Sequence, residues 1–96
     1  MGSVTPLINL MTDLESLDLD ATIYVAEPWT RESLAMVEVE PASGGLPEAA
    51  SRHSLAYFLE VSVARDFLAD WQSTLDKPPT DQERCDSVIR YAVDDA

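Results

Sequence analysis

Along the chain, apolar positions recur at helical spacing near the start, alternate through the middle, and return to helical spacing toward the end. Leu7, Leu10, Met11, Leu14 and Leu17 fall on one helical face, and Thr5 followed by Pro6 supplies an N-cap and a first helical residue. This spacing predicts a helix over roughly 6–17. The β-branched and aromatic run ATIYVA predicts a strand over 21–26, EPWTRES a loop over 27–33, and the alternation of LAMVEVE a second strand over 34–40, together a hairpin.

Two prolines and a Gly pair among small residues mark 41–53 as a flexible loop. Beyond it, Tyr57, Leu59 and Val61 alternate, which predicts a strand over 55–61 with those three on one face and Phe58 and Glu60 on the other. Ala64, Phe67, Leu68, Trp71 and Leu75 then share a helical face, so a helix is expected over about 63–75, ended by the segment DKPP. Thr80 and Glu83 form a capping box for a last helix, whose buried stripe is Cys85, Val88, Ile89 and Ala92.

These elements imply a single α+β domain over residues 1–96. It would comprise an N-terminal helix, a small antiparallel sheet of two or three strands, and two C-terminal helices packed on the sheet, with residues 1–4 disordered.

Charge changes the picture. The chain has 96 residues, with 18 acidic against 6 basic side chains and a net charge of −12. Residues 1–50 hold nine acids and one base, Arg31, whereas residues 51–96 hold nine acids and five bases. A hydrophobic fraction of 46% shows that this is not a solvated acidic tail. Such a field repels nucleic acid and anionic membrane and speeds encounter with cationic surfaces, so direct binding to nucleic acid or membrane is not expected. The lone Cys85 allows no intramolecular disulfide, which fits a reducing cytoplasm. No basic n-region or long apolar run suggests a signal peptide or a membrane span.

The carboxylates invite three chemical readings. Glu38 and Glu40 lie two apart on a predicted strand, on one face and roughly 7 Å apart at Cα, with Leu34 and Met36 sharing that face and Ala35, Val37 and Val39 turned to the core. Solvation or partner binding suits that pair better than acid–base catalysis. A calcium loop beginning at Asp18, with Asp20 and Thr22 at positions three and five, fails because Ile23 stands where Gly is needed and Trp29 where a bidentate Glu is needed. One Cys and one His, His53, give no transition-metal set, and the SGGLP segment lacks the spacing and Lys of a phosphate loop. No catalytic residue, cofactor or metal is therefore assigned.

The segments TIYVAEPW, SGGLP, YFLEVSVARDFLADW and RCDSVIRYAVDDA give residues 21–96 a look that resembles small acidic bacterial proteins of the immunity-protein and antitoxin kind. That resemblance implies a non-catalytic protein that neutralises a basic partner, a cognate toxin domain, by stoichiometric binding. The residues expected to meet the partner are Asp18, Asp20, Glu27, Glu32, Glu38 and Glu40, with Trp29 as an aromatic anchor in a loop that equally suits a lid on the core. Two other classes fit the same composition. A DNA-mimic inhibitor of a nuclease needs carboxylates in rows at phosphate spacing, and a structural or adaptor subunit needs a contiguous apolar patch.

Overall fold

The computed structural model describes residues 4–42 and 44–95. The elements run β1 (Thr5–Pro6), α1 (Leu7–Thr12), a 3-10 turn (Leu14–Ser16), β2 (Thr22–Ala26), β3 (Leu34–Glu38), α2 (Glu48–Arg52), β4 (Leu55–Glu60), α3 (Val61–Gln72) and α4 (Asp81–Asp95). The strands form one antiparallel sheet in the order β1-β3-β2-β4. The class is α+β, with a four-stranded sheet in place of the two or three strands expected.

The first helix is shorter than its hydrophobic repeat. Pro6 is extended, at φ −58° and ψ 142°, and caps the helix instead of opening it, while Thr5 joins the sheet. The first free amides of α1 are satisfied by tertiary contacts: Leu7 N–H donates to the Ser33 carbonyl at 2.9 Å and Ile8 N–H to that of Arg31 at 3.0 Å. After Thr12 the chain tightens into the 3-10 turn, which still delivers Leu14 to the core.

β2 is buried at Thr22, Ile23, Tyr24 and Val25 because both faces of the sheet are covered. Ile23, Val25 and Ala35 face α1, α3 and α4, packing with Leu7, Met11, Leu68 and Val88. Tyr24 and Met36 face the other way, under Ala50 and Leu55, with Val4 packed at the margin. Met36 is thus core, not part of a solvated face, and Val39 is 56% exposed instead of buried. The cover over Met36 is α2, inside the segment expected to be a flexible loop; Glu48 and Arg52 pair across it at 3.2 Å. Gly44 and Gly45, at φ 80° and 79°, take the left-handed turn that precedes it. Val4 is half-buried against this second core, and the rest of the expected disorder at 1–4 lies outside the described residues.

β4 departs from strict alternation. Ile23 pairs with Leu59 but Tyr24 pairs with Tyr57, so Phe58 is the extra residue of a β-bulge. The bulge turns Phe58 and Leu59 to the same core, and both are buried, whereas alternation had put them on opposite faces. Val61 then begins α3 directly, its N–H donating to the Ala21 carbonyl at 3.0 Å. Ser73 and Thr74 end that helix by donating their hydroxyls to the Asp70 and Trp71 carbonyls at 2.6 and 2.7 Å. Leu75 falls outside the helix and is exposed. The capping box forms as expected: Thr80 N–H donates to Glu83 Oε1 at 2.8 Å, and Glu83 N–H to Thr80 Oγ1 at 3.1 Å.

Candidate functional site

Sheet register divides the expected partner-binding residues into two groups. Thr22, at the start of β2, pairs with Glu38 on one side and Glu60 on the other, so all three share a sheet face. Asp18 and Asp20 lead into that same end of β2, and Glu40 follows Glu38 out of it. The turn is shaped locally, with Asp20 N–H donating to Asp18 Oδ1 at 2.9 Å and Ala21 N–H to the Asp18 carbonyl at 3.0 Å. Glu27, Trp29 and Glu32 belong to the loop at the other end, roughly 14 Å away across four strand rises.

The end of the sheet near Thr22 is a mixed surface. Asp18, Asp20, Glu40 and Glu60 are exposed and Glu38 is partly so. Leu19 is 51% exposed between the two aspartates, and Val39 is 56% exposed between Glu38 and Glu40. The ion pairs among the described residues join Arg31 to Asp86, Arg52 to Glu48, and Arg84 to Glu15 and Asp81. None reaches the five carboxylates at this end, whose charge stays uncompensated.

Tyr24 lies behind that surface. Burial pushes its phenol above the usual range; the Thr22 side chain opposes the rise, and the Glu40 charge, then Tyr57 and Glu38, add to it. The Thr22 hydroxyl is near enough to act on the phenol but falls outside hydrogen-bond geometry, which leaves the buried Tyr24 hydroxyl without a hydrogen-bond partner among the described residues.

At the opposite end, Trp29 turns inward. Its ring meets Phe58 edge-on, and its Nε1 donates to the Val25 carbonyl at 3.3 Å. The ring is half-buried, which matches the lid alternative more closely than the exposed anchor. Next to it Arg31 grips Asp86 of α4 with two hydrogen bonds, Nε at 2.8 Å and Nη2 at 2.7 Å, which hold the Asp86 carboxyl below its usual range. Cys85 is buried beside this pair; burial pushes its thiol up to about 12, so it stays protonated at neutral pH.

A second concave surface lies on the helices. Val63, Asp66, Phe67, Asp70 and Trp71 form a stripe along α3 and, with Thr74 just beyond its end and Tyr91 of α4, line a groove of about 580 Å³. The Phe67 and Tyr91 rings stack with centroids 4.5 Å apart and planes at 22°. Trp71 also lines the adjoining clefts, one bordered by Arg90 and Asp94 and the other by Pro78 and Pro79. Phe67 and Trp71 lie on the helical face that the spacing predicts, but the core takes Val61, Ala64 and Leu68 and leaves the two aromatics half-buried at its margin. Periodicity along one helix cannot reveal a groove whose far wall is Tyr91, 24 residues away in sequence from Phe67.

Among the described residues, no group of three or more His, Cys, Asp and Glu converges to hold a metal ion, and no helix is long and apolar enough to cross a membrane. The chain matches no known protein family, no curated protein and no solved structure.

Proposed function

We propose that this chain is a non-catalytic binding protein that neutralises a basic partner by stoichiometric binding, as an immunity protein or antitoxin does to a cytoplasmic bacterial toxin. The observation that carries the reading is the uncompensated surface of Asp18, Asp20, Glu38, Glu40 and Glu60, with Leu19 and Val39 exposed among the acids. Carboxylates draw a cationic surface in and set the association rate, whereas desolvated apolar side chains between them slow dissociation. Interleaving of the two suits a protein interface better than the unbroken carboxylate rows of a DNA mimic.

The test pairs the chain with the product of its neighbouring reading frame. That product should arrest growth when expressed alone, and co-expression of this chain should relieve the arrest at a one-to-one ratio. Changing Asp18 and Asp20 to Asn and Glu38 and Glu40 to Gln should slow association and flatten its dependence on salt. A neighbouring product that is harmless alone, or an association rate indifferent to the four changes, overturns the proposal.

A further inference from the structure

We propose that the groove between α3 and α4 is the docking site for an arginine side chain carried by a basic protein partner. The inference rests on the reading of this chain as a binder of basic proteins and adds a second, chemically distinct contact to the acidic end of the sheet.

Its walls combine two features that a guanidinium needs together. Phe67, Tyr91 and Trp71 present aromatic surface at the groove, the first two as a stacked pair that bridges the helices. Asp66 and Asp70 lie one helical turn apart along one wall, and Asp94 borders the adjoining cleft; all three are exposed and without an ion pair among the described residues. Arg90 is the one cation lining these two clefts among the described residues, against three carboxylates. A planar, weakly hydrated guanidinium stacks on aromatic faces while its N–H fork pairs with carboxylates, a combination that the compact, strongly hydrated lysine ammonium matches poorly.

The positions of the acids point the same way. Asp70 stands in the last turn of α3 and Asp94 in that of α4, where negative charge opposes the helix macrodipole, and neither last turn holds a basic residue. Local helix stability does not account for either acid, whereas a cation held between the helices does.

The experiment titrates the full chain with hexa-arginine, hexa-lysine and hexa-citrulline peptides and follows backbone and indole N–H signals by NMR. Hexa-arginine should shift the Trp71 indole signal and the amides of Phe67 and Tyr91, hexa-lysine should bind the same place several-fold more weakly, and the neutral hexa-citrulline should leave the spectrum unchanged. Asp66→Asn with Asp70→Asn should weaken hexa-arginine binding by about five-fold, more than the charge-matched pair Asp18→Asn with Asp20→Asn. These carboxylates are exposed, so both double variants should fold.

Equal losses in the two double variants mean that only net charge is sensed and overturn the groove. Equal binding of the lysine peptide overturns the assignment to arginine. Shifts confined to residues 18–22 and 38–40 overturn the groove and leave the proposed function standing, whereas no binding of any cationic peptide overturns both.

Discussion

Trp29 meets Phe58 edge to face, with ring centroids 4.9 Å apart and planes at 85°. The contact locks the loop between β2 and β3 onto the bulged residue of β4, and the indole N–H is occupied by the Val25 carbonyl. An indole held in this way supports the core. Trp29→Ala should lower the unfolding free energy by about 2–4 kcal/mol, less than a fully buried Trp because the ring keeps some exposure. Its association rate with a basic partner should match the parent's wherever the variant is folded. Urea denaturation beside binding kinetics checks both, and lost affinity at undiminished stability would return Trp29 to the interface.

Thr80 and Glu83 satisfy each other's backbone amides at the start of α4, the helix that supplies Cys85, Val88 and Ala92 to the core. Thr80→Ala should therefore cost about 1 kcal/mol, the usual effect of losing a hydroxyl cap. Because the two bonds form one reciprocal unit, Thr80→Ala and Glu83→Ala together should cost less than the sum of the single changes. Strict additivity in a thermal or urea double-mutant cycle would show that the bonds act independently.

Legibility in the sequence followed the range of the interactions. The capping box lies within four residues, and the hairpin was written in the β-branched run of β2 and the alternation of β3 around a proline loop. α2 carried no such mark. Ala49 and Ala50 sit among Gly, Pro and Ser, and the helix exists to cover Tyr24 and Met36 from across the sheet. The Phe58 bulge was hidden for a related reason, since an inserted residue shows only against its partner strand. The acids stood out as a class, and the hairpin itself sets Asp18, Asp20, Glu38 and Glu40 at the end opposite Glu27, Trp29 and Glu32; that Glu60 joins them follows from the register of β2 with β4, which one strand's sequence does not contain.

The Arg31–Asp86 pair makes a pH prediction. The Asp86 carboxyl titrates below its usual range in the folded chain, chiefly because Arg31 hydrogen-bonds it. A depressed folded pKa contributes stability that is fully present above the unfolded value of about 3.9 and is lost as pH falls through the lower folded value. Asp86→Asn should therefore be less stable than the parent at pH 7, and the gap should close in acid strong enough to protonate Asp86. Both side chains are substantially exposed, so the gap should also narrow in high salt. Urea midpoints of the two proteins at pH 7 and under acid conditions measure it; a gap independent of pH would show that the pair adds no charge-dependent stability.

Tyr24 fills the second core beside Met36 with its ring, and its buried hydroxyl lacks a hydrogen-bond partner among the described residues. Phenylalanine keeps the packing and removes a polar group that was stripped of water on folding. Tyr24→Phe should therefore be neutral or more stable, by up to about 1 kcal/mol, where most Tyr→Phe changes at bonded hydroxyls destabilise. The raised phenol pKa gives an independent check, because burial and the nearby Glu40 charge both favour the neutral form. A raised folded pKa contributes stability that is present below the unfolded value of about 10 and is lost as pH climbs through the folded value. Phenylalanine has no such titration, so the variant's margin over the parent should widen above about pH 10. Urea midpoints of the two proteins at neutral and alkaline pH decide the matter, and a clear loss of stability in the Phe variant at pH 7 would mean that the hydroxyl is bonded after all.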